Sequence, residues 1–317
     1  MSSNFSLTIP NYNGAAFLPD CLDSLIVAIK NCPDSQFEII LVDNGSKDES
    51  IAIFQKYSEL KILNCKLKII CHQTNKGFAG GVNPGIIASK YPWVVLVNND
   101  LTVSPNWFKI VSQQITPDIA TYYGLVLTKD GKQIESEGLD FHYSGKCNNI
   151  NNHQSFHKSY FINHKSSFIW GAPASLIVYN KNILASIGNF DEDFFAYEED
   201  VDVALRLHKL GHKTLYIPSA ISYHLGSGTS SKMGNFRNRM DFKNWIYIII
   251  KNFSKKEIIS NLPTIIEQRL RNLSGVIKNT PLLQVPSTIF KLFYEVITHI
   301  PTMLKKRHQF QKLLKHN

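Results

Sequence analysis

The sequence predicts an α/β protein in which a doubly wound sheet is followed by a C-terminal helical extension. Strand-like and helical patterns alternate over residues 5–97 with short connections, as expected when helices join the strands of one sheet. Residues 94–97 give the clearest strand, because four consecutive apolar residues, three of them β-branched, are typical of a strand buried on both faces. Beyond residue 226 the pattern becomes basic and helical.

The individual elements follow from the spacing of the apolar residues. The first strand, 5–9, alternates apolar and polar residues and ends at Pro10, and an i, i+3, i+4 stripe over 18–29 predicts the first helix. Further strands are predicted at 37–42, 67–71, 93–97, 175–179 and 215–218, and residues 221–224 lead into a Gly/Ser loop. Further helices are predicted at 48–57, 77–90, 182–187, 200–210, 240–252, 257–275 and 282–316. Residues 130–165 are polar and have no clear period.

Polar residues follow each of the first four strands. They are Asn11-Tyr12-Asn13, Asp43, Asn75-Lys76-Gly77 and Asp100. If the strands are parallel, these loops lie along one edge of the sheet, where ligands of open α/β sheets bind. Amides, carboxylates and a lysine there suit a nucleotide, whereas each loop taken singly is also explained by ordinary turn chemistry.

Two of these loops have more specific interpretations. Asp100, after Asn98 and Asn99, suits a divalent cation shared with substrate phosphates, although an Asn-Asn-Asp run also simply begins a turn. The glycines of 77–85 match neither the dinucleotide fingerprint nor a P-loop. They are more consistent with close approach of the backbone to a ligand or a neighbouring helix.

An acidic and aromatic segment, 191–202, contains seven carboxylates interleaved with Phe and Tyr. Neighbouring rings and like charges both raise the pKa of a carboxylate, as a general base requires. Asp200 is expected at a helix N-terminus, where the helix dipole opposes that rise. For Glu198 and Asp202, an N-cap and a surface acidic face remain the alternative.

His224 follows a strand and precedes a Gly/Ser loop at 225–231. A histidine beside apolar residues is usually structural, but here it could equally be a ligand at the mouth of a site that closes over its substrate.

Composition indicates two regions, 1–225 and 226–317. The first carries 18 Lys and Arg against 21 Asp and Glu, and the second 16 against 4, a balance of +12. Basic amphipathic helices favour an anionic membrane surface, and no nucleic-acid recognition motif is present. No apolar run is long enough to span a bilayer, and the start lacks the blocks of a signal peptide. Five cysteines without paired spacing indicate a reducing setting, so a cytoplasmic protein peripheral at the inner face of the cell membrane is expected.

The ordered motifs resemble those of family 2 glycosyltransferases, in particular rhamnosyltransferase-like bacterial members that build surface polysaccharides. The matching motifs are Ile9-Pro10-Asn11-Tyr12-Asn13, Val42-Asp43-Asn44-Gly45-Ser46, the 75–85 glycine segment, Leu96-Val97-Asn98-Asn99-Asp100, Gly188 to Phe195, Glu199-Asp200-x-Asp202 through Arg206, Gly211 and His224. The resemblance covers roughly residues 4–245, and its specificity lies in the order and spacing of the motifs.

This resemblance implies a glycosyltransferase A-type fold and an inverting transfer from a nucleotide-diphosphate sugar to a glycan or lipid-linked acceptor. It implies that Asp43 meets the base, and that Asp100 and His224 hold Mg²⁺ or Mn²⁺ on the diphosphate. It implies that Asp200 is the catalytic base, with Glu199 and Trp170 around the donor sugar and acceptor. The remaining nucleotide-sugar residues are expected to be Pro10, Asn13, Asn75, Lys76, Gly77, Asn98 and Asn99. Because Asn98 and Asn99 stand where some members carry more acid, metal affinity is expected to be modest. The donor sugar, the acceptor and the linkage are expected to depend on the 130–170 region and the loop after 225.

Two other functions share parts of this pattern. A sugar nucleotidyltransferase would be expected to carry a basic Gly-rich loop after the first strand, but Asn11-Tyr12-Asn13-Gly14 has no Lys or Arg. A non-catalytic, membrane-tethered subunit of glycan assembly would need no base. The joint presence of Asp100, Asp200 and His224 speaks against that second alternative.

Overall fold

The computed structural model describes residues 3–60, 64–157, 159–225 and 235–316. The strands are β1 Phe5–Asn11, β2 Phe37–Asp43, β3 Cys65–Cys71, β4 Trp93–Val97, β5 Leu101–Val103, β6 Thr121–Thr128, β7 Ile134–Ser136, β8 Leu139–His142, β9 Lys146–Asn149, β10 Ser167–Ile169, β11 Leu176–Asn180 and β12 Thr214–His224. The helices are α1 Leu18–Lys30, α2 Ser50–Ser58, α3 Gly77–Ala88, α4 Trp107–Ser112, α5 Tyr160–Asn163, α6 Lys181–Ser186, α7 Glu199–Lys209, α8 Asn235–Asn252, α9 Lys255–Lys278 and α10 Val285–His316. The alternating α/β pattern and the helical C-terminal region are therefore confirmed.

Ten of the strands form one mixed sheet in the order β10-β12-β6-β11-β4-β1-β2-β3, with β5 paired to β12 and β7 to β6. Strands β1, β2, β3 and β4 are mutually parallel where they pair, as the loop argument required. Strand β11 is antiparallel to both of its neighbours, β4 and β6. The sheet is therefore mixed, because the antiparallel strand β11 lies between β4 and β6 near the middle of the strand order.

The parallel half is held by apolar packing on both faces. Every residue of β2 and β4 is buried, because helices cover both faces of the sheet. The stripe predicted for α1 lies in this core, with Leu22, Leu25 and Ile29 fully buried. The carboxyl ends of these strands are thereby fixed beside one another, which positions the loops that follow them.

Two regions differ from the sequence expectation. The segment without a clear period folds into β7, the separate β8–β9 pair and α5. Apart from Leu139, the residues of β8 and β9 are exposed or part-exposed, which explains the weak apolar pattern. The short strand predicted at 215–218 is part of a longer one, β12, which continues through His224 and whose register is irregular between Ile217 and Ile221. Pro218 lies within that irregularity, and proline cannot donate to the ladder.

Of the three C-terminal helices, α9 and α10 each pack against α8, and α8 packs against α7 and the acidic segment before it. Helix α9 runs antiparallel to α8, since Asn235 bonds Thr280, and α10 runs parallel to α8, since Lys243 bonds Glu295. Aromatic and aliphatic residues of α8 share a core cluster with Phe194 and with residues of α7. The boundary expected near Gly226 lies outside the described residues, so the two-region division stays a prediction. Across the described residues, no helix has the length and apolar content needed to cross a bilayer.

Candidate active site

A cavity of about 360 Å³ opens at the carboxyl ends of the parallel strands; we call it the first cavity. It is lined by Pro10, Asn11, Tyr12, Asn44, Asn75, Gly77, Phe78, Asn98, Asn99, Asp100, Phe195, Ala196, Tyr197, His224 and Phe236. Seven residues assigned from the sequence to the nucleotide sugar or the metal are thus brought together: Pro10, Asn75, Gly77, Asn98, Asn99, Asp100 and His224.

A chain of hydrogen bonds joins the loops after β1, β2 and β4. Asn99 Nδ2 donates to Asn11 Oδ1 at 2.8 Å, and Asn11 Nδ2 donates to Asp43 Oδ1 at 3.1 Å. Asp43 is buried and also accepts from the backbone of Gly45 and from the backbone and hydroxyl of Ser46. The carboxylate therefore fixes its own turn, and direct contact of Asp43 with a base stays a prediction. Asn11, which the sequence placed in this loop without a role, is the link between the loops.

Asn13 and Lys76 lie on the loops that follow β1 and β3. The backbone of Asn13, at φ 51°, donates to Ser46 Oγ at 2.9 Å, and its Oδ1 accepts from the backbone of Lys47. Lys76 is exposed immediately before α3. The structure thus gives Asn13 a turn-stabilising contact, while contacts of Asn13 and Lys76 with a nucleotide remain predictions.

Asp100 and His224, 124 positions apart, are adjacent because β5 pairs antiparallel with β12 and Leu101 lies opposite His224. His224 Nε2 is 3.1 Å from Asp100 Oδ2, and its Nδ1 is 2.5 Å from Oε1 of Glu135 on β7. Burial alone would lower the pKa of His224, but the hydrogen bonds with the two carboxylates raise it to about 10. Glu135 was missed because it belongs to the segment without period, where no sequence signal marks it.

The residues present fit a divalent cation. Asp100 Oδ1 is buried and has no hydrogen-bond partner among the described residues, so one carboxylate oxygen remains to be satisfied. A carboxylate and an imidazole would supply two protein ligands once Nε2 of His224 gives up the proton that it shares with Asp100, and Glu135 is placed to orient the imidazole from its other nitrogen. Within the described ranges no group of three or more His, Cys, Asp or Glu side chains is arranged as a metal site. Phosphates and water would therefore have to complete the coordination.

A second cavity, of about 510 Å³, contains the acidic loop. Its lining is Leu139, Cys147, Asn148, Asn149, Asn152, His153, Tyr197, Glu198, Glu199, Asp200, Val201 and Arg237. Tyr197 lines both cavities. Glu199 and Asp200 begin α7, so Asp200 lies at a helix N-terminus as expected.

Asp200 accepts two backbone hydrogen bonds, from Val201 at 2.8 Å and from Ala174 at 3.3 Å. Burial raises the pKa of Asp200 despite these bonds, which lower it. Burial and neighbouring carboxylates raise the pKa of Glu198 and Glu199 well above the usual value. One oxygen of each glutamate is buried without a hydrogen-bond partner in the part of the chain that the structure describes.

The loop before α7 has an unusual backbone, with Phe195, Tyr197 and Glu198 all at φ between 63° and 67°. Non-glycine residues seldom adopt this region, so surrounding contacts must hold them there. Asn244 of α8 does so, because its Nδ2 lies 3.0, 2.8 and 2.7 Å from the carbonyl oxygens of Phe194, Ala196 and Tyr197. Position 244 was not singled out in the sequence, since an asparagine within a helical pattern carries no such signal.

A buried ion-pair network anchors the same loop to the C-terminal helices. Lys251 of α8 lies 2.7 Å from Asp191 and 2.9 Å from Asp202. Arg206 pairs with Asp202 at 2.8 Å, and Lys306 of α10 pairs with Asp191. Asp202 is fully buried, so the surface acidic face left open for it is wrong.

Trp170 lies in an aromatic cluster beside the acidic segment. Its ring stacks on Phe141 with centroids 4.4 Å apart, and His208 of α7 lies 5.6 Å away. This contact explains its partial burial, and its contact with a sugar stays a prediction.

Several solved structures are similar along nearly the whole chain. One is GalNAc-T7 with UDP, GalNAc and Mn²⁺, at a TM-score of 0.60 and 14% identity, covering 95% of this chain and 58% of that one. Another is the mannosyltransferase PcManGT from Pyrobaculum calidifontis with GDP-Man and Mn²⁺, at 0.59 and 12%, covering 98% and 85%. A third is S. aureus TarS 1-349 with UDP-GlcNAc, at 0.55 and 15%, covering 96% and 92%. The molecule thus has the glycosyltransferase A-type fold.

Family models narrow this class to one family. The model described as glycosyl transferase family 2 matches residues 6–172, more than half of the chain, and that described as glycosyl transferase family group 2 matches 93–304. The chain belongs to glycosyl transferase family 2.

Curated relatives match over shorter stretches. A PGL/p-HBAD biosynthesis glycosyltransferase of Mycobacterium bovis (strain BCG / Pasteur 1173P2) is 36% identical over 97 residues, 30% of this chain and 35% of the relative. An uncharacterized glycosyltransferase, EpsJ, of Bacillus subtilis (strain 168) is 31% identical over 109 residues, 34% and 29%. The chain thus spans about a third of the length of these relatives.

Proposed function

We propose that this protein is an inverting glycosyltransferase that moves a sugar from a nucleotide-diphosphate donor to a hydroxyl of a glycan or lipid-linked acceptor in cell-surface polysaccharide synthesis. The observation that carries the proposal is the arrangement of two cavities that share Tyr197. One contains Asp100 and His224, and the other contains Asp200. A donor in the first cavity and an acceptor in the second would therefore both lie beside Tyr197.

Asp200 is the proposed base. Inversion needs one base on the face opposite the leaving group, and a buried carboxylate with a raised pKa is suited to take the acceptor proton. The bonds from Val201 and Ala174 hold the carboxylate in one orientation. Glu199 supplies a second buried carboxylate beside it, and we assign it to the donor sugar and acceptor rather than to proton transfer.

The first cavity is the proposed donor site. Asn75 and Gly77 line it on one side and Asn98 and Asn99 on the other, which provides amide and backbone donors for a ribose and a diphosphate. Asp100 and His224 would hold Mg²⁺ or Mn²⁺, which neutralises the charge of the departing diphosphate when bound. Structures similar to this chain contain UDP or GDP-Man together with Mn²⁺, which supports this donor class. Rhamnosyl transfer remains the specific donor hypothesis from the motifs.

Substitution of Asp200 tests the base. Asp200→Asn is expected to leave donor binding nearly intact and to lower turnover by ~10²–10⁴-fold, because general-base catalysis contributes about that much. Asp20→Asn, at an exposed aspartate of α1, is the matched control and should turn over normally. The measurements are nucleotide release with an acceptor panel and donor affinity by calorimetry. A folded Asp200→Asn protein with near-normal turnover would remove Asp200 from the role.

Substitution of His224 tests the metal site. His224→Ala is expected to raise the Mn²⁺ concentration needed for half-maximal activity by about tenfold, since loss of one of two protein ligands weakens binding. His212→Ala, at a half-buried histidine before β12, should leave the Mn²⁺ dependence unchanged. Titrating Mn²⁺ against activity and recording a thermal melt of each protein separates the roles. An unchanged metal curve with a lowered melting temperature would mean that His224 is structural.

The alternatives separate in the same assays. A nucleotidyltransferase would form a sugar nucleotide from a sugar phosphate and a nucleoside triphosphate, and a non-catalytic subunit would hydrolyse no sugar nucleotide. We also propose a cytoplasmic location, peripheral at the inner face of the cell membrane, because the +12 balance of 226–317 is attracted to anionic lipid.

A further inference from the structure

Helix α9 exposes an apolar stripe. Ile259, Leu262, Ile266, Leu270 and Ile277 are spaced by three, four or seven residues and are 43–73% exposed. At 100° per residue they fall within roughly 80° of one another around the helix. The buried residues Ile265 and Val276 lie about 90° away from the centre of the stripe. Solvent therefore reaches an apolar face that is distinct from the packed one.

Helix α10 repeats this arrangement. Its exposed stripe consists of Phe290, Phe293, Tyr294, Ile297 and Leu304, which are 39–71% exposed. Its buried face, Leu292, Val296 and Met303, lies about 130° away in the same rotational sense as on α9.

The two stripes point to the same side of the molecule. Helices α9 and α10 run in opposite directions and contact different sides of α8, as Asn238 bonds Gly275 of α9 and Lys243 bonds Glu295 of α10. Displacements in the same rotational sense on two antiparallel helices that flank α8 turn both stripes to the same side of α8. That side is opposite Asn244 and Lys251, through which α8 holds the acidic loop.

The ends of this surface differ in character. At one end the turn between α9 and α10 places Leu282 and Leu283 in solvent, 86% and 96% exposed. The opposite end is cationic. Its exposed lysines are Lys255 and Lys256 at the start of α9 and Lys305, Lys312 and Lys315 in the last part of α10. The α10 lysines lie within about 80° of its apolar stripe.

We propose that this surface, formed by the two stripes, the Leu282-Leu283 turn and the five lysines, inserts into the interface of an anionic lipid bilayer. The proposal rests on the proposed function in one respect, that a lipid-linked acceptor would bring the reaction to the bilayer surface. Apolar side chains beside lysines match the acyl boundary and the phosphate layer of such a surface. A second copy of the chain is a poorer occupant, because a two-fold contact would either bring the two sets of five lysines together or set each set against the apolar Leu282-Leu283 turn of the other copy.

The test is co-sedimentation of the full chain with phosphatidylcholine vesicles, with and without phosphatidylglycerol. We expect binding to the anionic vesicles that is weakened but not abolished by salt, since charge attraction is screened and apolar insertion is not. The double variant Leu282→Glu/Leu283→Glu should bind at least about tenfold more weakly, because both leucines lose their apolar contact with lipid. Ile87→Glu, at an isoleucine of α3 that is 69% exposed, is the matched control and should bind like the wild type.

Three results would overturn the proposal: no binding to anionic vesicles, equal binding by the double variant, or a wild-type dimer in solution that the double variant dissociates. Donor hydrolysis without vesicles is measured in the same preparations. Its absence in a protein that binds vesicles would remove the proposed function and leave the membrane surface standing. Normal hydrolysis by a protein that does not bind vesicles would remove the membrane surface and leave the proposed function standing.

Discussion

The hydrogen-bond network around Asp43 in the first cavity and the acidic loop of the second cavity satisfy their polar groups in opposite ways. On the first-cavity side, Asn99, Asn11 and Asp43 bond to one another and to the turn that follows β2. On the second-cavity side, Glu198 and Glu199 each keep a buried oxygen without a partner among the described residues, and the backbone before them is strained. The first side is stabilised by its own loops, whereas the second depends on α8 and α10.

This difference indicates that the first side binds the donor and the second side carries the chemistry. A satisfied hydrogen-bond network gives a rigid shape that a ligand can enter without rearrangement. A strained loop with poorly solvated carboxylates is costly and persists only where other contacts hold it, which is typical of sites of chemistry. Substitutions on the second side should therefore act on stability and turnover, and substitutions on the first side on donor affinity.

The largest effect is expected for Lys251→Met. It leaves Asp191 and Asp202 buried with fewer cations, and breaking a buried pair in this way costs about 3–5 kcal/mol of unfolding free energy. Arg271→Met is the matched control, because its pair with Glu267 is more than half exposed and worth about 0.5 kcal/mol or less. Urea unfolding of both variants measures the difference. Equal, small losses would mean that the C-terminal helices do not hold the loop.

The same network gives a pH dependence. Burial raises the pKa of Asp191 and Asp202, but the neighbouring cations outweigh it and lower both pKa values. A depressed carboxylate pKa adds stability above the pKa of the unfolded chain, and that stability is lost as pH falls. Below about pH 4 the wild type should therefore lose stability more steeply than Lys251→Met.

A smaller effect, on turnover, is expected for Asn244→Ala. Without the amide, the carbonyl groups of Phe194, Ala196 and Tyr197 lose a common donor, and the loop that carries Asp200 is less well positioned. We expect kcat to fall by about 10–100-fold with little change in donor KM. Asn238→Ala, which removes one bond from α8 to Gly275, is the control and should retain kcat. A rise in donor KM at unchanged kcat would contradict the assignment of the chemistry to the second side and of donor binding to the first.

The smallest effect is expected for Asp43→Asn. An amide at this position keeps one acceptor but loses the charge that gathers Asn11, Gly45 and Ser46. Donor affinity should fall by about tenfold while kcat stays within about twofold, because the turn loosens but the proposed catalytic base, Asp200, is unchanged. Calorimetric titration with a sugar nucleotide and steady-state kinetics measure the two quantities. A fall in kcat at unchanged affinity would place the first side in the chemistry instead.

The parallel half of the fold was predictable because its signals are local. Each of its strands is an apolar run that ends in a polar loop, and parallel pairing places the loops together, which brought Asn75, Asn98 and Asp100 into one cavity. The position of Asp200 at the start of α7 was equally readable from the apolar spacing after it.

The rest of the site depends on contacts between distant parts of the chain. The proximity of Asp100 and His224 follows from the β5–β12 register, and only the family resemblance suggested it. Glu135, Asn244 and Lys251 acquire their contacts from strands and helices that pack far along the sequence. Neither spacing nor composition marks such residues, because an asparagine or lysine on a helix is ordinarily solvated.

One residue joins the two sides. Gly77, at φ 74°, begins α3, and a Cβ atom at this position would stand 2.1 Å from the carbonyl oxygen of Phe195. The neighbouring Phe78 N–H donates to that same oxygen at 2.5 Å. Both contacts are with the main chain of residue 195, so the backbone path of that loop, and not the side chain at 195, requires glycine at 77. Over evolutionary time, any larger residue at 77 has to be accompanied by a rerouted loop at 195, so the two segments are expected to change together or not at all.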